Sequence, residues 1–138
     1  MTRTFRIFAL AVLPAVFLLG CPEPELSRVD ILQPDDGQTF EVGQAIRFEA
    51  EAIFLNTRED FSPSLRYRWT SSLDGAIGTT ASFMRADLSE GVHTITATVD
   101  DLDNDGNVIG SRSEDIVIEI LSSMEGEGET EGETEGET

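Results

Sequence analysis

The sequence predicts an all-β domain: an antiparallel sandwich of about seven short strands with a disordered acidic tail behind it. Three observations predict it. Hydrophobic residues alternate with polar ones in several runs, the pattern of a strand with one buried face. Clusters of Gly, Pro, Asp and Asn punctuate the runs, as turns require. No segment beyond residue 20 shows a helical period. The strongest run sets Leu65, Tyr67 and Trp69 against Arg66, Arg68 and Thr70. It holds the only Trp and the only Tyr, so the largest apolar area per residue is concentrated there.

The chain begins with a positive start, Arg3 and Arg6, then an apolar run over residues 7–19 interrupted by Pro14. That run is too short for a comfortable bilayer span, which needs about 20 residues, but it suits an export signal. It ends in Leu18, Leu19, Gly20 and Cys21. This resembles the bacterial lipoprotein signal, an aliphatic residue, a tolerant position, a small residue, then Cys. The resemblance implies a signal peptide at 1–20 and lipidation of Cys21, with the membrane as partner through that anchor. Pro22 follows where Asp would imply inner-membrane retention, so the resemblance implies an outer-membrane lipoprotein of a bacterial envelope. Taken without the resemblance, the same segment is an ordinary secretory signal or an uncleaved anchor. Cys21 is the only Cys, so no internal disulfide can form and the domain must be held by packing alone. Residues 21–26 read as a stiff, charged tether.

The sandwich is expected over residues 27–122. Val29 and Ile31 begin a first strand that stops at Pro34, and Pro34, Asp35, Asp36 and Gly37 form a turn. Residues 39–42 make a short strand. Ile46, Phe48, Ala50, Ala52 and Phe54 alternate with Arg47, Glu49, Glu51 and Ile53, giving a long half-buried strand. A polar loop over 56–63 contains Phe61 and leads into the Trp69 strand, which ends in a turn from Ser71 to Gly78. A weaker strand surrounds Phe83. Ile95, Ala97 and Val99 alternate with Thr94, Thr96 and Thr98. Residues 100–110 read as an acidic loop, and Ile116, Ile118 and Ile120 give the last strand.

The order Tyr67-Arg68-Trp69, Ser71-Ser72-Leu73-Asp74-Gly75, Gly91-Val92-His93-Thr94-Ile95 and Val99-Asp100-Asp101 resembles the immunoglobulin-like and PKD-like modules of bacterial envelope proteins. It departs from PKD modules after the Trp, where they carry an aromatic-Asp-Phe-Gly-Asp-Gly run. The resemblance covers roughly residues 27–121. It implies a spacer, an adhesion unit or a module contacting an envelope protein or glycan, and no catalysis. It also implies a packing role for His93.

The formal net charge is −18, and every basic residue is Arg. Such a surface repels phosphate backbones, which excludes a nucleic-acid partner. Residues 123–138 form the tail. From Glu125 it repeats Glu-Gly and Glu-Thr without an apolar side chain, and it should be extended by self-repulsion.

Candidate chemistry is sparse. Asp101, Asp103, Asp105 and Gly106 match the first half of a calcium loop, where alternate carboxylates converge and Gly allows a sharp turn. The bidentate Glu such a loop wants at its twelfth position is Arg112 here. A calcium site of another type and a plain acidic hairpin turn both remain open. A calcium-dependent glycan- or protein-binding module is therefore the alternative to a structural or interaction module. His93, the only His, lacks the companions of a metal site. A Ser-His-Asp triad would need distant partners for it, and no catalytic residue is assigned. Trp69 and Tyr67 could form a sugar-stacking platform, but a lone Trp in a central strand is usually core. Arg66 and Arg68, with Arg47, are expected to pair with Glu49 and Glu51.

Overall fold

A computed structural model describes residues 20–123. The expected signal peptide, through residue 19, and the expected tail, from residue 124, lie outside the described residues. The described residues form eight strands: β1 (Glu25–Gln33), β2 (Thr39–Glu41), β3 (Ile46–Leu55), β4 (Ser64–Ser71), β5 (Gly75–Gly78), β6 (Ser82–Arg85), β7 (Gly91–Leu102) and β8 (Val108–Leu121). One sheet has the order β1-β3-β6 and the other β2-β8-β7-β4-β5. Lettered in chain order, these are A-B-E facing A′-G-F-C-C′, the strand order of immunoglobulin-like sandwiches.

β1 starts two residues before the expected boundary. Glu25 pairs with Leu55, and Leu26 is buried, so the tether is shorter than residues 21–26. Pro34 then ends β1, because it has no N–H to give a ladder. Gly37, at φ 79°, turns the chain towards the second sheet. There the backbone is fixed by Gly37 N–H to Val117 O at 2.7 Å and Val117 N–H to Asp36 Oδ1 at 2.8 Å. β2 consequently runs parallel to β8, with Thr39 opposite Glu119. The sandwich is therefore not wholly antiparallel. Period two shows which side chains face inward but not which way the neighbouring strand runs.

Two further corrections concern loops. The stretch after Ser71 was expected to be one turn, but Gly75–Gly78 forms β5 against β4. The expected acidic loop over 100–110 is mostly strand. β7 continues through Leu102 and β8 begins at Val108, which leaves a short connection over 103–107. Asp100 and Asp101 are ladder residues, opposite Ser111 and Gly110.

The core lies between the sheets. Trp69, 1% exposed, meets Phe48 edge-on at 5.7 Å and Phe83 edge-on at 5.6 Å, while Phe48 and Phe83 stack at 5.1 Å. Ile95, Ala97 and Val99 of β7 and Ile116, Ile118 and Ile120 of β8 belong to the same core, with Val29, Ile46 and Ala50 of the facing sheet. Gly78 lets Phe83 enter, since a Cβ there would sit 2.4 Å from the ring. The indole N–H donates to Thr80 O at 3.0 Å, so the one polar atom of Trp69 is satisfied.

Candidate functional site

Four places in the fold gather polar or aromatic side chains. The first is a buried hub at the end of the sandwich where β4 stops and β7 starts. His93 is fully buried on the inner face of β7. Its Nε2–H donates to Ser89 O at 2.7 Å, because a carbonyl can only accept. Nδ1 is then the acceptor, and the Ser71 hydroxyl donates to it at 2.7 Å. Ser71 Oγ in turn accepts the N–H groups of Leu73 and Asp74, each at 3.2 Å. Asp74 accepts the N–H of Ser89 at 3.0 Å and also its hydroxyl, and lies 3.6 Å from His93 Nδ1. The Ser89 hydroxyl holds the Asp74 carboxyl below the ordinary range; burial, the next effect in size, opposes it, and the Ser89 N–H, His93 and Arg85 add to the lowering.

The partners of His93 are thus close, not distant as the sequence suggested. They still do not form a hydrolytic triad. In a triad the serine and the carboxylate occupy opposite ring nitrogens. Here Ser71 and Asp74 both approach Nδ1, and Nε2 is held by a backbone carbonyl. Ser71 Oγ already donates one hydrogen bond and accepts two, inside a turn. The hub ties three chain segments together, which is the packing role implied for His93.

The second place is the turn over 103–107 with Asp101 behind it. Asp103 Oδ1 accepts the N–H groups of Asp105 at 2.9 Å and Asn107 at 2.8 Å, and Oδ2 accepts the Asn107 amide at 3.0 Å. The Asn107 side chain and these N–H groups lower the Asp103 pKa. Gly106, at φ 83°, completes the turn. Asp105 is exposed, and Asp101 sits on the inner face of β7, mostly buried. The three proposed ligands are therefore not brought together. Among the described residues no three His, Cys, Asp or Glu side chains form a group able to hold a metal ion. A calcium titration at constant ionic strength should give no saturable rise in melting temperature, and Asp103→Asn should not alter the response. A saturable rise that the variant abolishes would restore the cation site.

Asp101 itself is out of keeping with its neighbours. Alternation along β7 puts His93, Ile95, Ala97, Val99 and Asp101 on one inward face. Burial pushes the Asp101 carboxyl up, opposed only in part by the Leu102 N–H. The native state then holds this proton more tightly than the unfolded chain, so stability falls as pH rises from the unfolded value of about 3.9 through the native one. Asp101→Asn should therefore raise the melting temperature at pH 7, by an amount that shrinks as the solution is acidified below pH 4. An unchanged or lower melting temperature at pH 7 would show that the ionised group is stabilised where it stands.

The third place is the outer face of the larger sheet. Asp100, almost fully buried, accepts from Arg66 Nη2 at 2.9 Å, from Arg68 Nη2 at 3.4 Å and from the Ser111 hydroxyl at 2.7 Å. Burial pushes its carboxyl up, but the Ser111 hydroxyl and then the two guanidinium groups outweigh this and hold it below the ordinary range. Arg66 and Arg68 therefore pair across to β7 and not with Glu49 and Glu51. Only the Arg47 part of that expectation holds, with Glu49 accepting from it at 2.9 Å.

The fourth place is an open groove of 460 Å³ between β3 and β4, near the chain's entry. Ala52, Phe54, Phe61, Leu65 and Tyr67 are half-buried along it, with exposed Glu51 on its rim. Phe54 and Phe61 meet edge-on at 4.9 Å. The lone Phe61 in a polar loop was its only sequence signal. Trp69 lies in the core, so no Trp–Tyr sugar platform forms, and Tyr67 alone of the pair reaches the groove.

No protein-family model matches the chain. No curated protein matches it either. Among solved structures, it is similar to the fibronectin(III)-like modules of Clostridium thermocellum CbhA, at 18% identity and a TM-score of 0.47, over 67% of this chain and 94% of that one.

Proposed function

We propose that this chain is a lipid-anchored protein of the bacterial cell envelope, on the outer membrane, whose sandwich is a non-catalytic interaction or structural module. The anchor reading rests on Cys21, the only Cys, standing at the one position that the Leu18-Leu19-Gly20-Cys21 signal requires. Cys21 is exposed. The polarity of the sandwich suits such an anchor. The chain enters beside Glu25, opposite Leu55, and leaves after Leu121, beside Glu41. Arg112 of β8 donates to Ser27 O near the entry, and nine residues of strand then carry the chain to its exit, roughly 30 Å away. The anchor and the residues that follow Leu121 thus attach at opposite ends of the sandwich. Several acyl chains would hold such a protein stably, whereas one alone would not.

The non-catalytic reading rests on the hub, where His93, Ser71 and Asp74 are committed to holding turns. The anchor is tested by growing cells with a fatty-acid analogue. The wild-type protein should label and sediment with membranes, and Cys21→Ser should remain unlabelled and leave the membrane fraction. A Cys21→Ser protein that labels and sediments like wild type removes the anchor.

A further inference from the structure

The groove between β3 and β4 exists because both sheets lack an edge strand over the same half of the sandwich. β6 pairs with β3 only as far as Glu49, opposite Ser82, and a last bond runs from Ala50 N–H to Ala81 O at 2.9 Å. β3 continues to Leu55 with no strand on that side among the described residues. β5 likewise reaches only Trp69 of β4. Backbone groups alternate along a strand, so residues two and four beyond Ala50 point the same way. Ala52 and Phe54 therefore aim their N–H and C=O groups at the open side. No Pro stands on this edge to block pairing.

We propose that this groove takes an extended segment of a partner protein by strand addition to the free edge of β3, the segment carrying apolar side chains at alternate positions and Lys or Arg between them. Backbone bonds to Ala52 and Phe54 supply the pairing. The apolar positions lie against Phe54, Phe61, Leu65 and Tyr67, as alternate side chains do when a strand is added to a sheet. Charge selects the basic residues. Glu51 is on the rim, Glu59 and Asp60 are exposed on the adjoining loop against a single Arg58, and the chain as a whole is strongly acidic. The chain's own tail is a poor occupant. It leaves from the opposite end, and residues 125–138 have no apolar side chain and the same sign of charge as the rim. A second copy pairing edge to edge would bring the two Glu51 carboxylates together. The proposal names the surface and partner class of the interaction module above and rests on that reading, but not on the anchor.

The test uses full-length protein in detergent and an end-blocked heptapeptide of alternating Lys and Val. It should bind saturably and slow exchange of the Ala52 and Phe54 amides by about tenfold or more. Glu51→Lys is an exposed change that should leave the melting temperature alone. It should weaken this peptide about fivefold and favour a Glu-Val heptapeptide instead. Saturable binding with protection elsewhere overturns the groove and leaves the interaction module standing. Absence of any binding overturns the groove and favours a structural spacer. Protection that grows with protein concentration and needs no peptide points to a second copy and overturns the partner segment.

Discussion

Trp69→Ala should lower stability by about 3–5 kcal/mol, the range for a fully buried aromatic replaced by a methyl group. Three losses add up at this site. The ring is 1% exposed, so its whole apolar surface returns to water on unfolding. Its edge-on contacts with Phe48 and Phe83 disappear, and those rings, stacked on each other, cannot both move into the space. Thr80 O also loses the indole donor. A domain of this size has about 5–15 kcal/mol in total, so the variant should unfold at much lower urea or only partly fold at 37 °C. Thr96→Ala, on the outer face of β7, is the control and should cost under about 1 kcal/mol. Equal urea midpoints for the two variants would show that the indole does not organise the core.

That core was legible in the sequence because it is written in local alternation. Tyr67 and Trp69 share a face with Leu65 in the structure as in the pattern, and the Ile95 and Ile116 runs do the same. What was not legible depends on pairing between distant residues. β2 looks like any short strand, and only its bonds to β8 make it parallel. β5 was hidden because Gly75 and Gly78 carry turn composition, although Gly78 is small for the sake of Phe83. Asp100 and Asp101 read as loop because carboxylates are rare in central strands. Asp100 is tolerated there by Arg66, Arg68 and Ser111, none of which an acidic run announces. The groove at Phe54 and Phe61 was equally silent, since it results from where β5 and β6 stop.

The second large effect is expected at His93. His93→Ala should cost about 3 kcal/mol, combining a small cavity with the loss of two buried hydrogen bonds. The loss is directional. Ser71 Oγ would keep the Leu73 and Asp74 N–H groups but lose the acceptor for its own proton, and Ser89 O would lose its donor. β7, the β4–β5 turn and the segment before β7 would then be held mainly by Asp74 and Ser89. That remaining link is acid-sensitive. The Asp74 carboxyl is held below its ordinary value, so its contribution is complete above the unfolded pKa of about 3.9 and fades as pH falls through the native value. The variant should therefore show faster amide exchange at Leu73, Asp74 and Ser89 at neutral pH, and should lose further stability on acidification. His93→Gln should recover part of the loss, because an amide can accept from Ser71 or donate towards Ser89 O. Hydrolytic activity lost in His93→Ala but kept in an equally destabilised Trp69→Ala would overturn the structural assignment, since a hub that only ties segments together has no chemistry to lose.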